Sequence, residues 1–314
     1  MQMTPEQIYL NLIDKERNIY EPAQLFQQTR ETVAAYIDNL RSPGNHDGQL
    51  SIVGNEVKCT KTGKVFSKQD EVVDFIKATE KKPEDKEWER LNQQFLNYHK
   101  SLSVYTLVNS VPVANYLSLR SGMGNIKDKV VVDVGAGTGH ALCSFFQYPE
   151  QIDYYLVDPN LRLLHDQFIR IYPKLTQLKM KHVLAFAEEL PFKNNFTDVV
   201  MSLSAIDHFK DYKAFFAEAY RILKPGGTLF ISSHLDIPAD AADATKTSQK
   251  LLSDTFFERL ARYLYYKRSK VGHDDHTYHF DSLEPFESGM KEKGFVIERS
   301  EIFKRYFFVI ARKP

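Results

Sequence analysis

The sequence predicts an α/β protein built on a doubly wound, mostly parallel sheet of seven strands, preceded by a small helical and β-hairpin appendage. A short β-branched strand leads into a glycine-rich turn and a helix at residues 129–142, KVVVDVGAGTGHAL. Strand and helix patterns then alternate from residue 153 to residue 234, as in parallel sheets joined by crossover helices. Two adjacent strand patterns at residues 294–314 predict an antiparallel edge.

The segment before the glycine turn divides into three stretches. Residues 5–40 place apolar residues at helical spacing, which predicts one or two helices. Residues 40–76 change to short strands and turns. Residues 77–122 begin as a charged linker and continue as a helical pattern, which leads into the glycine-turn strand.

The later strands are identified as short apolar runs bounded by turn residues. They cover residues 153–158, 182–186, 197–204 and 228–234. Asp211 directly precedes an amphipathic run, and a carboxylate at that point predicts the N-cap of a helix. The KPGG sequence at 224–227 predicts the turn into the fifth strand.

Composition limits the class of protein. The 314 residues are 43% hydrophobic, enough for one large domain plus an appendage, and 41 basic residues balance 41 acidic ones. This balance gives no bulk attraction to nucleic acid or to anionic membranes. Two cysteines are too few for a disulfide framework, and neither a secretory signal nor a membrane span is evident. A cytoplasmic protein is expected.

The glycine turn is the first candidate for chemistry. Gly135, Gly137 and Gly139 alternate with small residues, and glycine lets the backbone turn sharply and approach a ligand closely. Amide groups at the start of the following helix would face that ligand. The dinucleotide fingerprint G-x-G-x-x-G requires a glycine at position 140, where this sequence has His140, so nicotinamide and flavin cofactors are disfavoured. A structural turn without a ligand is the alternative.

The stretch VVDVGAGTGH resembles the first motif of class I S-adenosylmethionine-dependent methyltransferases, and the resemblance implies their Rossmann-like fold and that cofactor. In that family the loop and the preceding carboxylate hold the methionine part of the cofactor, and a second carboxylate grips the ribose hydroxyls. These positions correspond here to Asp133, Gly135, Ala136, Gly137 and Gly139, and to Asp158 followed by Pro159. S-adenosylhomocysteine would be the product.

The stretch AFAEELPF resembles the family segment that holds adenine. Phe186 stands where the family has an aspartate, so it can stack or pack but cannot accept from the adenine amino group. The resemblance therefore assigns adenine to the backbone around Ala187 and Glu188. Ser204, at the end of the fourth strand, is the remaining predicted cofactor contact.

Residues 40–76 resemble the zinc ribbon that precedes some ribosomal RNA guanine methyltransferases. Three of the four ligand positions hold Ser42, Asn45 and Thr62, and Cys59 alone remains. Structural zinc needs four such ligands, so a metal-free relic is predicted, with an unrelated hairpin insertion as the alternative. The framework that matches is Leu40, Pro43, Gly48, Leu50, Gly63, Phe66, Asp70, Val72 and Phe75.

Candidates for proton transfer follow the fourth strand. His208 is the first candidate base and Asp207 the second, and a base is needed only for an acceptor that arrives protonated. His276 aligns with a family histidine that borders the acceptor pocket. It also belongs to an H-x-x-H-x-x-H pattern, which leaves metal binding or an ordinary surface position open. Residues 238–272 are predicted to form a lid.

The sequence thus predicts an N-terminal region at 1–80 and a methyltransferase domain at 81–314. The leading hypothesis is methyl transfer from S-adenosylmethionine to a small or medium-sized acceptor. An RNA acceptor, suggested by the ribbon, and a non-catalytic cofactor-binding protein are the alternatives. Nucleic acid is the less favoured partner because the chain is neutral, and the oligomeric state is not predicted.

Overall fold

The computed structural model describes residues 31–69, 71–76, 126–137, 152–159, 180–236, 277–303 and 306–314. Eleven strands in these segments form one sheet. The strands are β1 (Leu50–Val53), β2 (Glu56–Cys59), β3 (Val65–Gln69), β4 (Val72–Asp74), β5 (Val130–Val134), β6 (Asp153–Val157), β7 (Met180–Leu184), β8 (Thr197–Leu203), β9 (Leu223–His234), β10 (Val296–Phe303) and β11 (Tyr306–Arg312).

The seven strands from β5 onward form the predicted mostly parallel sheet. Their order is β7-β6-β5-β8-β9-β11-β10. The pairs from β7 to β9 are parallel, whereas β11 pairs antiparallel with both β9 and β10. The chain moves outward from β5 in both directions, so the strand order reverses between β5 and β8.

The count of seven strands is wrong for the whole sheet. The antiparallel meander of β1 to β4 joins it, because β4 pairs in parallel with β7 at Val72↔His182, Val73↔Val183 and Asp74↔Leu184. The N-terminal strands therefore extend the sheet. The physical reason is that β7 would otherwise present a row of unpaired backbone groups at a sheet edge.

Two strand boundaries also differ from the sequence prediction. β7 begins at Met180 and ends at Leu184, two residues earlier than predicted. β9 begins at Leu223 and includes the KPGG sequence as an irregularity, because Leu223 pairs with Thr197 and the next paired residue is Thr228. Backbone hydrogen bonds to Lys313 hold this irregularity, which explains why a turn sequence lies inside a strand.

Three α-helices lie in the described segments: α1 (Val33–Tyr36), α2 (Tyr212–Ile222) and α3 (Glu284–Glu292). The predicted cap of α2 is confirmed, since the Asp211 carboxylate accepts from the amides of Lys213 and Ala214 at 2.9 and 3.1 Å. The apolar side of α2 is buried, and Gly289 of α3 lets the two helices approach closely at Phe216. Within the described segments, no helix is long and apolar enough to cross a bilayer.

An aromatic cluster joins the N-terminal residues to the later strands. Tyr155 packs edge-on against Tyr36, Phe192 and Phe196, and the last two rings stack at 5.1 Å between centroids. Leu40 also forms a backbone bridge with Phe192. Because these side chains are buried together, the N-terminal residues share one hydrophobic core with the sheet.

Candidate functional site

The candidate site lies at the carboxyl ends of the parallel strands. Ligands of doubly wound sheets bind where the strand order reverses, which here is between β5 and β8. The glycine turn follows β5, and the segment from Ser204 to Phe209 follows β8. Asp158 follows β6 and lies beside the turn.

Gly135 and Gly137 differ in why the turn has a glycine at each position. Gly135 has φ +71°, and a Cβ there would lie 2.4 Å from the Cβ of Ala205, so close packing against the β8 loop excludes any larger residue. Gly137 has φ +51°, and among described atoms its Cβ would meet nothing nearer than the Gly135 carbonyl at 4.0 Å. The turn is therefore packed against the β8 loop at Gly135, and no described residue packs closely against the Cβ position of Gly137.

Asp158 is tied directly to the glycine turn. Its Oδ2 accepts a hydrogen bond from the Gly137 amide at 2.9 Å, and the Gly135 and Ala136 amides both bond to the Val157 carbonyl. A carboxylate can accept several hydrogen bonds, so this contact is compatible with a bound diol. Asp158 and Pro159 are half-buried.

Asp133 lies behind the turn in the interior. Its side chain is 1% exposed, and its Oδ2 accepts from the Tyr154 hydroxyl at 2.7 Å. Burial, with a smaller contribution from the nearby charge of Asp158, raises the pKa of the Asp133 carboxyl to about 7 against the lowering effect of that hydrogen bond. The contact of Asp133 with a cofactor stays a prediction. In the structure its carboxylate bonds to Tyr154 within the protein interior.

The predicted adenine loop contacts the segment after β8. Lys210 Nζ lies 3.9 Å from the centre of the Phe186 ring, so a cation covers one face of that ring. The Glu188 carboxylate accepts from the amides of Lys210 and Asp211 at 2.7 and 3.1 Å. Ala187 is buried. The Glu188 side chain therefore holds the loop, and Phe186 offers an apolar surface at the site.

Ser204 occupies a strained position at the carboxyl end of β8. Its φ is +54°, a left-handed conformation that is uncommon for a residue with a side chain. Its amide donates to the Ser232 carbonyl at 2.7 Å, which ties the end of β8 to β9. Such strain is concentrated at functional sites, and here it lies at the point where the strand order reverses.

The structure pairs Asp207 with His234, a histidine that sequence reasoning did not single out. Asp207 Oδ2 lies 3.3 Å from His234 Nδ1, and Asp207 is 2% exposed. His208 is half-buried in the same 3-10 turn, Ile206–His208. His234 ends β9, so its position at a strand's carboxyl end, followed closely by Asp236, was the sequence signal available.

Asp236 and His279 extend this pair. His234 Nε2 lies 3.8 Å from Asp236 Oδ1, and His279 Nδ1 lies 2.6 Å from Asp236 Oδ2. Two backbone hydrogen bonds fix the segment that carries His279, from the Tyr278 amide to the Asp207 carbonyl and from the Asp236 amide to the Phe280 carbonyl. Asp207, His234, Asp236 and His279 thus form a row of four titratable side chains, each within 4 Å of the next, at the carboxyl ends of β8 and β9.

Several predicted features lie outside the described residues. These are Gly139, His276 and the proposed lid at 238–272. No group of three or more His, Cys, Asp or Glu side chains suited to a metal occurs within the described segments. His279 is the described member of the three-histidine pattern, and its ring contacts a carboxylate.

The four positions that the ribbon resemblance assigns to ligands lie close together. A Cβ on Gly48 would lie 2.6 Å from Cys59 Sγ and 3.4 Å from Ser42 Cβ, and the Asn45 amide bonds to the Ser42 carbonyl. Burial raises the pKa of the Cys59 thiol, but hydrogen bonds from Thr62 and its neighbours outweigh burial and leave it below the usual value. Membership in the ribbon family stays a prediction.

Residues 132–231 match the family model described as a methyltransferase domain. The match begins in β5 and ends in β9, so it includes the glycine turn, Asp158 and the segment after β8. It covers the residues that the sequence analysis assigned to the cofactor.

Curated relatives match about a third of the chain. The malonyl-[acyl-carrier protein] O-methyltransferase of Hahella chejuensis is 32% identical over 33% of this chain and 36% of its own length. The ubiquinone/menaquinone biosynthesis C-methyltransferase of Psychromonas ingrahamii is 30% identical over 33% of this chain and 42% of its own. The matches thus span less than half of either relative.

Among solved structures, a SAM-dependent methyltransferase from Aquifex aeolicus aligns with 62% of this chain and 88% of its own. Its TM-score is 0.44 at 16% identity. The strand order and pairing of this chain define its fold independently of that similarity.

Proposed function

We propose that this protein transfers a methyl group from S-adenosylmethionine to a small or medium-sized acceptor. The observation that carries the proposal is the hydrogen bond from the Gly137 amide to Asp158, which puts a carboxylate beside the glycine turn at the point of strand reversal. The methyltransferase-domain match over the same residues supports it.

The residues of the turn fit an adenosyl sulfonium. When bound, this cofactor supplies an electrophilic methyl group. Gly137 gives room for the backbone to approach the ligand, and the Asp158 carboxylate accepts hydrogen bonds from the ribose hydroxyls. Phe186 packs against the adenine, and the Ala187–Glu188 backbone takes its polar edge. The negative charge of Asp158 also suits a cationic ligand.

Methyl transfer needs little chemistry from the protein beyond alignment. Holding the nucleophile and the methyl group in line lowers the barrier by several kcal/mol. The β8 loop is well suited to this task, because the amide of Ser204 and the side chain of Glu188 fix it at both ends. The acceptor would then lie over the ends of β8 and β9.

Calorimetry with S-adenosylmethionine tests the proposal on Asp158→Asn. An asparagine keeps an oxygen for the Gly137 amide but loses the charge, and a hydrogen bond to a charged group contributes about 1.5–3 kcal/mol. We therefore expect the affinity to fall by about tenfold to a hundredfold.

Asp153→Asn is the matched control. Asp153 begins β6, the strand that Asp158 follows, so it lies at the end of β6 away from the site, where it pairs with Lys181. It should bind the cofactor as the wild type does. Equal affinity of Asp158→Asn and wild type would refute the ribose assignment. Absence of binding in the wild type, or tight binding of NADH, would refute the cofactor itself. Binding with no turnover of any acceptor would favour the non-catalytic alternative.

A further inference from the structure

The pair of Asp207 and His234 lies beside the proposed cofactor site, not within it. Asp158, the glycine turn and Asp207 follow β6, β5 and β8, and His234 is the last residue of β9; these four strands are consecutive neighbours in the sheet. Neighbouring strands are about 4.8 Å apart, so His234 lies about 10 Å from the β5 end. That separation places the pair where an acceptor would meet the methyl group.

The β8 loop connects this pair to the glycine turn. Ala205 contacts Gly135, and Asp207 is two residues further along in the same short 3-10 turn. The end of β8 is tied to β9 through the Ser204 amide and the Ser232 carbonyl. The two side chains are therefore held by the same backbone that shapes the cofactor crevice.

Burial differs sharply between the two partners. The Asp207 side chain is 4% exposed, whereas the His234 side chain is 31% exposed. A buried carboxylate on Nδ1 orients an imidazole and selects the tautomer with its proton on that nitrogen, which leaves Nε2 as the proton acceptor. The arrangement is thus a buried carboxylate paired with a partly exposed histidine.

Charged and titratable groups face His234 from three neighbouring segments. Asp207 faces Nδ1 from the β8 loop, and Asp236 lies near Nε2 from the end of β9. His279, from the segment before α3, is bonded to Asp236, and Tyr306 is the register neighbour of His234 on β11. Two carboxylates, Asp207 and Asp236, therefore lie within 4 Å of the His234 ring nitrogens.

We propose that His234 accepts a proton from the methyl acceptor, with Asp207 as its positioning residue, so that the acceptor is a hydroxyl, phenol or amine whose nucleophilic atom arrives protonated. This inference rests on the proposed methyltransferase function. It replaces His208 with His234 as the base and makes Asp207 its partner.

The step balances as a displacement with proton transfer. The acceptor oxygen or nitrogen forms a bond to the methyl carbon, while the carbon–sulfur bond breaks and its electron pair passes to sulfur. The proton of the acceptor passes to His234 Nε2. The resulting positive ring lies between Asp207 and Asp236, and water takes the proton after product release.

The first test uses the protein without an acceptor. Nitrogen-15 spectra of histidine rings report which ring nitrogen carries the proton. We expect the neutral His234 ring to carry it on Nδ1 in the wild type and to shift toward Nε2 in Asp207→Asn. A mixed tautomer in the wild type, or no change in Asp207→Asn, would overturn the pairing. His46, a half-buried histidine near Glu218, is the internal reference ring.

The second test uses labelled S-adenosylmethionine with catechol, phenol, tyramine, benzylamine and thiophenol as acceptor probes. We expect His234→Gln to lower kcat on hydroxyl or amine probes by about a hundredfold to ten-thousandfold, the usual range for a general base. Methylation of thiophenol, which ionises without help, should be unchanged. The loss on phenol should shrink at high pH, where the probe ionises by itself.

The outcomes separate this inference from the proposed function. Cofactor binding is measured on the same variants, and His234→Gln should bind S-adenosylmethionine as the wild type does. Wild-type turnover confined to thiophenol, or an equal loss on every probe, would overturn the inference while leaving the methyltransferase proposal intact. His46→Gln controls for loss of a histidine and should retain wild-type kcat. Failure of the wild type to bind the cofactor would defeat the proposed function instead.

Discussion

At the scale of single residues, burial raises the pKa of the Asp133 carboxyl. This carboxylate lies within the hydrophobic interior at the end of β5, with the Tyr154 hydroxyl as a hydrogen-bond donor. One hydrogen bond compensates only part of the cost of removing a charge from water. The pKa of Asp133 therefore rises to about 7, and its charge is costly at neutral pH.

Asp133→Asn should change how stability depends on pH. The folded-state pKa of about 7 exceeds the ordinary value of 3.8, so between these values the folded protein binds a proton that the unfolded chain has released. This contribution to stability is fully present below pH about 4 and is lost as pH rises through 7. As pH rises over that range, the free energy of unfolding of Asp133→Asn should increase by up to about 4 kcal/mol relative to that of the wild type.

Urea unfolding at pH 4.5, 6 and 8 measures this difference. Asp38→Asn changes an exposed carboxylate and is the control. Its free energy of unfolding should differ from that of the wild type by the same amount at all three pH values. A difference between Asp133→Asn and the wild type that stays constant with pH would contradict the raised pKa of Asp133.

At the scale of elements, α2 connects local sequence to the site. Its cap, Asp211, satisfies two backbone amides that the first turn leaves without partners. The Asp211 amide in turn donates to Glu188 in the adenine loop. The start of α2 therefore fixes the position of Lys210, which covers Phe186.

Asp211→Ala should destabilise the protein by about 1 kcal/mol, because alanine accepts no hydrogen bond at an N-cap. Urea unfolding followed by circular dichroism at pH 7 measures the loss. Asp211→Asn is the matched control, since asparagine caps helices about as well as aspartate does. Equal losses in the two variants would show that charge, not capping, is the property that α2 requires.

At the scale of the whole molecule, the sheet is continuous from β1 to β10. Tyr36, in α1, is fully buried, and its hydroxyl lies 2.9 Å from the carbonyls of Glu71 and His182. These carbonyls flank the junction between β4 and β7. The N-terminal strands and the site-bearing strands are therefore joined by backbone pairing, aromatic packing and this hydroxyl.

Tyr36→Phe should lower stability by about 1–2 kcal/mol, because a buried hydrogen bond is lost while the ring remains. Hydrogen exchange at Val73 and Val183 should accelerate together, since the two residues pair across the junction. Tyr220→Phe changes a half-buried tyrosine of α2 that packs against Phe295, and this control should leave exchange at both amides unchanged. Faster exchange at Val73 alone would mean that the N-terminal strands open independently.

Much of the fold was available from the sequence because it depends on local chemistry. The β-branched run at Val130–Val134, the left-handed glycines 135 and 137, the Asp211 cap and the two C-terminal strands each follow from short stretches of chain. Parallel strands joined by crossovers then force the carboxyl ends to one edge, which brings Asp158 to the glycine turn. The residue assignments at this turn stay predictions.

Tertiary structure decided what depends on pairing between distant residues. The eleven-stranded count follows from β4 meeting β7, and the pairing of Asp207 with His234 follows from β8 and β9 lying side by side. No short stretch of sequence contains either contact. The sequence by itself determined the glycine turn and its flanking carboxylates, because backbone conformation and strand ends are local properties. Which histidine faces Asp207 was decided only by the sheet, because register between strands is set by packing across the whole molecule.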